Sequence, residues 1–362
     1  MLNKQNNKII KVLIFIIVIA LTIVILHNII LKNSYKTSSE AVKVENVTRE
    51  VIDMDGNTVT IPEKVNKVGT SWPGFCNVLF TVGGDKKMAA APAQLKKYPW
   101  SVKIFPDIQN IAYPFESKVN LEELIQSKTD VVFLRKGDEI DKVKEAGIPV
   151  VMIDYTHNNI QDVINGVMLA GKVLGDEEYK KAEEYKEYFN EKIDTISAIT
   201  SKIPENEKPR VIYLSVSGET SVWGSNMPQD EAIKIAGGIN AAKDDIDGYK
   251  EVSIEQLLKW DPDVIIAEGD INQSKIIQNA GWQQLKAVKN NNVLASPSGV
   301  FSWARLGSES AIQLPWLAKT LYKDKFKEID MNKETKYFYK TFFDYDLQDD
   351  ELSKILNGKN PK

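Results

Sequence analysis

The sequence has 362 residues, of which 43% are hydrophobic and 27% are charged, and its formal net charge is -4. A chain of this length and composition can bury about two ordinary domain cores. The weak negative charge, without any basic stripe, excludes nucleic acid as an expected partner. The single cysteine, Cys76, excludes a disulfide framework, a cysteine-based zinc site and an iron–sulfur cluster. We expect Cys76 to be a small buried side chain.

The N-terminus carries a long hydrophobic segment. Lysines precede residues 12–31, and only a few polar residues interrupt this apolar run. A segment of about 20 apolar residues can cross the hydrocarbon core of a bilayer, whereas cleaved signal peptides have shorter apolar regions. We therefore predict an uncleaved, single-pass membrane anchor over residues 1–32, a polar tether over residues 33–45, and an extracytoplasmic remainder. A long cleaved signal peptide is the alternative.

The rest of the chain alternates between strand and helix patterns. An Asp55-Gly56 step between two β-type runs predicts a β-hairpin with a type I′ turn. The alternation predicts an N-terminal α/β lobe over residues 46–175 and a C-terminal α/β lobe over residues 205–362. The second lobe ends in a helical tail that we expect to pack back on it. Between the lobes, residues 176–204 are rich in Glu, Lys, Tyr and Ala at helical spacing, which predicts one long, stiff connecting helix.

One segment occurs twice and predicts the fold. Residues 119–133 and 252–266 align without a gap. In each copy, Asn120 or Ser253 stands at a helix N-cap position, and an acidic or amide residue follows three positions later. A run of β-branched and apolar residues comes next, which is typical of a strand buried on both faces. The repeat therefore predicts two Rossmann-like lobes of similar plan.

A ligand in such a fold is expected between the lobes, because open α/β sheets bind ligands beyond the carboxyl ends of their strands. Aromatic side chains dominate the loops that follow the predicted strands. The chain has four arginines, and two of them fall in such loops of opposite lobes. A guanidinium can fork onto the oxygens of an anion, which lysine cannot do. The candidate ligand-binding residues are Trp72, Tyr113, Arg135, Trp223, Tyr249, Phe301, Trp303 and Arg305.

These candidates together indicate a flat or bulky anionic ligand. For each arginine, a surface ion pair is the alternative role. For each aromatic side chain, the alternative is a place in the hydrophobic core.

Residues suited to catalysis are scarce. The predicted extracytoplasmic part has one histidine, His157, so a two-histidine metal site is excluded, and a Ser-His-Asp triad would depend on that residue alone. The sequence contains no nucleophile-elbow, phosphate-loop or dinucleotide-binding motif. We therefore expect neither an enzyme nor a bound cofactor or protein-held metal.

Several short motifs follow one another in a fixed order between residues 51 and 322. They are Asp55-Gly56 with Ile61-Pro62, Val82-Gly83-Gly84, Asn120-Leu121-Glu122 with Asp130-Val131-Val132, Ala236-Gly237-Gly238-Ile239-Asn240, Val252-Ser253-Ile254-Glu255-Gln256 with Asp261-Pro262-Asp263, and Phe301-Ser302-Trp303-Ala304-Arg305. In this order and spacing, the chain resembles the substrate-binding proteins of ABC importers for ferric siderophores, haem and cobalamin. In that family two α/β lobes are joined by one long helix.

The resemblance implies roles for particular residues. In this family one glutamate on each lobe docks on basic residues of the permease dimer, and these glutamates correspond to Glu122 and Glu255. An ordinary first-turn acid that interacts with the helix dipole is the alternative for both. The eight candidate residues correspond to positions in the ligand cleft. The chain departs from the family's lipoproteins because it lacks a cysteine just after its hydrophobic segment, so the membrane anchor would replace the lipid.

The sequence thus supports the hypothesis of a monomeric, membrane-tethered, extracytoplasmic binding protein. It would capture an anionic metal chelate, foremost a ferric siderophore, and deliver it to an ABC permease. The resemblance leaves molybdate or tungstate, haem and cobalamin open as alternative ligands. A membrane-anchored extracellular enzyme and a sensor that signals through its membrane segment are the alternatives from other classes of protein.

Overall fold

The computed structural model describes residues 22–29, 47–155, 159–218 and 220–361, excluding the side chains of residues 270–272. Residues 22–29 form a helix, and Thr48–Lys362 form one compact unit. Within the described ranges, no helix combines the length and the apolar character that a membrane span needs. Most of the predicted anchor, the whole predicted tether and His157 lie outside these ranges.

The compact unit begins with a β-hairpin, as predicted. Strand β1 (Thr48–Ile52) pairs antiparallel with β2 (Thr58–Pro62). The predicted type I′ turn is wrong, because Gly56 has a positive φ of 83° whereas Asp55 does not. The amide of Gly56 donates to the carbonyl of Asp53, as in a type I turn that ends in a glycine bulge.

The first lobe is built on a parallel sheet. Its strands are β3 (Val68–Thr70), β4 (Met88–Pro92), β5 (Ala112–Phe115), β6 (Val131–Leu134) and β7 (Val150–Met152). They lie in the order β5-β4-β3-β6-β7, so the chain moves outward from β3 to β5 and then crosses to the other side of β3. The topological switch point therefore lies between β3 and β6.

The second lobe is built on a mixed sheet. Its strands are β8 (Arg210–Leu214), β9 (Ser221–Trp223), β10 (Ile239–Asn240), β11 (Tyr249–Glu251), β12 (Val264–Glu268) and β13 (Val293–Ser296). Their order is β11-β9-β8-β12-β13, and β10 also pairs with β8. Strand β9 is antiparallel to β8 and β11, whereas β8, β12 and β13 are parallel. Here the switch point lies between β8 and β12.

Helices cover both sheets and form the tail. They are α1 (Pro73–Thr81), α2 (Pro99–Ile104), α3 (Leu121–Gln126), α4 (Ile140–Glu145), α5 (Ile160–Leu174), α6 (Asp176–Thr200), α7 (Pro228–Ile235), α8 (Ile254–Trp260), α9 (Asp270–Gln278), α10 (Lys286–Lys289), α11 (Ser310–Leu321), α12 (Met331–Phe343) and α13 (Asp349–Leu356). The two repeated helices begin as predicted. The side chain of Asn120 accepts from the amide of Glu123 at 3.3 Å, and that of Ser253 accepts from the amide of Gln256 at 3.2 Å.

The central strands bury both faces, as their sequences predict. In β6, Val131 and Phe133 face a hydrophobic core that contains residues of both lobes. Val132 and Leu134 face the opposite way, into a core confined to the first lobe. Strand β8 alternates in the same way between the shared core and a core of the second lobe. The lobes are therefore joined by continuous apolar packing.

Helix α6 forms over the predicted connecting segment, and α5 before it also contacts both lobes. At the start of α5, the amide of Ile160 donates to Glu231 of the second lobe at 2.7 Å. At its end, Arg49 of β1 donates to the last carbonyls of the helix at 3.0 and 2.7 Å. Helix α6 returns to the second lobe, where the hydroxyl of Thr200 donates to the carbonyl of Ile235 at 2.8 Å. Each lobe is thus bonded to the helical connection.

The C-terminal tail is helical and packs on the second lobe as predicted, but it also contacts the first lobe. Helix α12 packs on α11 of the second lobe. In the first lobe, the indole nitrogen of Trp100 donates to the carbonyl of Lys359 at 2.9 Å, and the ring of Phe105 lies 5.7 Å from that of Phe343. Because aromatic residues of the tail complete the shared core, the tail is a further connection between the lobes.

Candidate functional site

A cleft of about 590 Å³ lies beyond the carboxyl ends of the two sheets. Loops that follow β3 and β6 form one wall, and loops that follow β8, β9 and β13 form the other. The switch points of both sheets therefore open onto the same cleft. This is the position at which ligands bind in open α/β sheets.

Aromatic side chains from both lobes line part of the cleft. Trp223 and Tyr249 are partners on β9 and β11, and their ring centroids are 5.4 Å apart. The rings of Trp72 and Tyr98, from the first lobe, lie 6.4 and 5.2 Å from that of Phe301 in the second. The aromatic surface is therefore continuous from one wall to the other, and it can pack on a flat or bulky ligand.

Arg135, which follows β6, offers its guanidinium to the cleft. That group lies over the ring of Trp72, 5.3 Å from its centroid. The backbone amide of Arg135 donates to the Asp138 carboxylate at 2.8 Å. Among the residues that the structure describes, none is hydrogen-bonded to the guanidinium or paired with it. Its N–H groups are therefore available to acceptor oxygens of a ligand.

Arg305 lines the opposite wall, but a carboxylate behind that wall holds it. Its Nε donates to Oε1 of Glu268 at 2.7 Å, and its Nη2 donates to Oε2 at 3.2 Å. Glu268 is 7% exposed at the end of β12, and it also accepts from the hydroxyl of Ser302 and the amide of Val216. Burial alone would lower the pKa of Arg305, but Glu268 raises it above its ordinary value. The guanidinium of Arg305, predicted to bind ligand oxygens, therefore already donates two hydrogen bonds within the protein.

Two predicted ligand-binding residues lie outside the cleft, and six line it. Trp303 is fully buried, and its indole nitrogen donates to Glu309 at 3.1 Å. It belongs to the same loop as Phe301, but it points into the core. Tyr113 donates its hydroxyl to the carbonyl of Ile108, and the ammonium of Lys96 lies over its ring. Neither side chain lines the cleft, because a residue's position at the end of a strand does not fix the direction of its side chain.

The sequence-based candidates missed four charged residues of the first-lobe wall. The amide of Val119 donates to Glu139 at 2.7 Å, and this bond is the main reason why the pKa of Glu139 falls below its ordinary value. The hydroxyl of Ser71 donates to Asp138. Their one signal in the sequence is a position in the loops after predicted strands. The four residues are Glu116, Lys118, Asp138 and Glu139.

The model of one family, described as periplasmic binding protein, matches residues 78–299. The chain belongs to this family. Its relatives include substrate-binding proteins of ABC transporters, so the resemblance inferred from the sequence is confirmed. This binding protein is therefore the substrate-binding component of an ABC importer.

Relatives of this binding protein share its fold and differ in the ligands that their names give. The molybdate-binding protein MolA of Haemophilus influenzae is 24% identical over 338 residues, which cover 84% of this chain and 94% of MolA. The structure of MolA with molybdate has a TM-score of 0.74 at 23% identity, and the match covers 83% of this chain and 99% of that one.

Two further proteins are similar to this chain. The structure of a periplasmic solute-binding protein of Veillonella parvula has a TM-score of 0.75 at 29% identity and covers 86% of this chain and 97% of that one. The Fe(3+)-citrate-binding protein YfmC of Bacillus subtilis is 30% identical over 186 residues, which cover 49% of this chain and 56% of YfmC.

Two exposed glutamates of the binding protein occupy equivalent places on its lobes. Glu122 and Glu255 are the second residues of α3 and α8. Glu122 accepts from the side chain of Gln126 at 3.2 Å. The amide of Glu255 and the hydroxyl of Ser253 lower the pKa of the Glu255 carboxyl below its ordinary value. Within the described parts of the chain, neither glutamate forms an ion pair, so both can contact a partner.

A fully buried carboxylate supports the second-lobe wall of the cleft. Glu309, which precedes α11, has no exposed surface. It accepts from the amide of Phe301 at 2.6 Å, from the indole of Trp303 at 3.1 Å and from the hydroxyl of Tyr339 in the tail. It also accepts from the side chain of Asn77 in α1 at 3.3 Å. One carboxylate therefore joins the first lobe, the loop that carries Phe301, and the tail.

We predict that Glu309→Gln removes part of the pH dependence of stability. Burial raises the pKa of Glu309 to about 7, although hydrogen bonds from Tyr339, Phe301 and Trp303 oppose the rise. Because the folded-state pKa lies above the ordinary value of 4.5, the folded state keeps a proton that the unfolded state releases in this interval. The contribution of Glu309 to the free energy of unfolding should fall by about 3 kcal/mol between these two pH values.

Urea unfolding between pH 4.5 and pH 7 measures this contribution. The free energy of unfolding of the wild type, relative to that of Glu309→Gln, should fall as the pH rises. Glu145→Gln, which changes an exposed glutamate of α4, should follow the wild type at every pH. The same pH dependence in the wild type and Glu309→Gln would contradict the prediction.

Proposed function

We propose that this binding protein captures a ferric siderophore outside the cytoplasm and delivers it to its permease. The size and lining of the cleft carry the proposal. A volume of about 590 Å³ suits a ligand with tens of non-hydrogen atoms, such as an intact iron chelate. Aromatic rings from both walls would pack on the organic arms of the chelate. The iron would arrive and leave inside its chelator, and we expect no chemistry on the ligand.

Arg135 supports an oxygen-rich ligand. Its guanidinium lies beside Trp72 at the first-lobe wall, so a ligand that stacks on the ring would bring its oxygens within reach. Hydrogen bonds from a guanidinium to chelating oxygens are charge-assisted and directional. Arg305 would contribute differently, because its bonds to Glu268 fix its position in the opposite wall.

Molybdate is the second candidate ligand. The similarity to MolA over 84% of this chain favours it. An anion with four oxygens would, however, fill only a small part of a cleft of about 590 Å³. The aromatic lining would also contribute little to binding such an anion, so the geometry favours the larger chelate.

We also propose that residues 1–32 form a membrane anchor. The apolar run over residues 12–31 and the lack of a cysteine just after it support a protein tether in place of a lipid. We propose that one copy of the chain, held at the outer face of the membrane in this way, serves one permease dimer.

Tryptophan fluorescence of the full-length chain in a mild detergent tests the ligand. We expect saturable quenching by a ferric chelate, because Trp72 and Trp223 line the cleft. Arg135→Ala should weaken binding about tenfold or more, since a hydrogen bond to a charged group contributes about 1.5–3 kcal/mol. Lys136→Ala changes the next residue, which lies outside the cleft, and should leave affinity unchanged.

Haem, cobalamin and molybdate belong in the same titration. Saturation by molybdate, with no response to any ferric chelate, would replace the first candidate by the second. Equal affinity of the wild type and Arg135→Ala for the bound chelate would remove the proposed role of Arg135.

Glu122 and Glu255 generate a separate prediction about the permease. The double variant Glu122→Ala with Glu255→Ala should abolish uptake of a labelled ferric chelate by cells while its affinity in solution stays unchanged. The reason is that both side chains are exposed and lie outside the cleft. A double variant of the exposed Glu145 and Glu187 is the control and should keep uptake. Normal uptake by the Glu122 and Glu255 variant would contradict docking and would favour the ligand-sensor alternative.

A further inference from the structure

The charges that line the cleft balance one another. Among the lining residues that the structure describes, cations and acids are equal in number, so their formal charges sum to zero. A site built for a multiply charged anion is expected to present an excess of positive charge. The cations are Lys118, Arg135 and Arg305, and the acids are Glu116, Asp138 and Glu139.

The positive charge of the second-lobe wall is balanced by a carboxylate that lies behind that wall. Among the described residues of this wall, Arg305 is the charged one that lines the cleft. The Glu268 carboxylate accepts two hydrogen bonds from Arg305 and neutralises its charge within the protein. Drawing Arg305 toward an anionic ligand would break its two hydrogen bonds to Glu268. Losing these bonds is unfavourable, because Glu268 is 7% exposed and cannot be fully hydrated in their place. The pair therefore withholds the Arg305 charge from the cleft.

The positive charges of the first-lobe wall are balanced by acidic residues of the same wall. Asp138 accepts from the backbone amide of Arg135, which fixes a carboxylate in the same loop as this arginine. Glu139 is bonded to the amide of Val119, one residue after Lys118, so the loop that carries the lysine also holds an acid. Two cations thus share their wall with three acids. The two cations would attract a polyanion, and the three acids of the same wall would repel it.

Resting on the proposed function, we infer that the cleft selects a ferric chelate of low net charge, of the tris-hydroxamate kind. Three hydroxamates carry one negative charge each and balance a ferric ion, which gives a neutral complex. Three catecholates carry two negative charges each and leave the complex with three. The neutral complex binds through aromatic packing and through Arg135 donating to its oxygens, and it needs no excess of positive charge.

A matched pair of chelates tests the inference on the full-length chain. A ferric tris-hydroxamate and a ferric tris-catecholate of similar size are titrated at about 0.05 M and about 0.5 M sodium chloride. We expect the hydroxamate complex to bind at least about tenfold more tightly at both salt concentrations. We also expect its dissociation constant to change less than about twofold with salt, because little net charge is neutralised.

Glu268→Gln tests the ion pair directly. The substitution removes the charge that compensates Arg305, so the cleft gains one uncompensated positive charge. The preference for the hydroxamate complex should fall, because catecholate affinity rises and becomes more sensitive to salt. Glu187→Gln removes an exposed charge of α6, a helix that contributes no residue to the described lining, and should keep the wild-type preference.

The possible results separate this inference from the proposed function. Tighter binding of the tris-catecholate with a steep salt dependence would overturn the inference and leave a siderophore-binding protein. An unchanged preference in Glu268→Gln would overturn the role of the ion pair. Binding of molybdate with no response to either chelate would overturn both the inference and the proposed function.

Discussion

The buried carboxylate of Glu309 is the interaction on which the arrangement of the lobes and tail depends. A carboxyl group with no exposed surface is stable only when its oxygens are hydrogen-bonded, and here the donors come from α1, from the loop before α11 and from α12. Each donor group must keep its place for the others to be satisfied. The loop that carries Phe301 and Arg305 to the cleft is therefore held against both the first lobe and the tail.

This constraint agrees with the other connections between the lobes. One hydrophobic core contains residues of both sheets, and α5 is bonded to the second lobe at its start and to the first at its end. A large rotation of one lobe would expose this core and break these bonds, so we expect closure on a ligand to be small. A largely preformed cleft suits a rigid, bulky cargo better than a small ion that must be enclosed.

The sequence predicted the elements with local signals and missed the features that depend on distant residues. The repeated helix starts at Asn120 and Ser253 depend on a few neighbouring residues, and both are confirmed. The directions of Trp303 and Tyr113, and the bonds between Arg305 and Glu268, depend on residues far apart in the chain. The contacts of the tail with the first lobe were missed for the same reason, because nothing in its helical pattern specifies which lobe it contacts.

Crystals of this binding protein with a ferric tris-hydroxamate, measured at the iron absorption edge, test the central claim most directly. We predict one anomalous iron peak in the cleft, between Trp72 and the Trp223–Tyr249 pair. We also predict that the guanidinium of Arg135 lies within hydrogen-bond distance of a chelating oxygen. An empty cleft in the presence of excess chelate, or iron bound elsewhere on the surface, would contradict the claim.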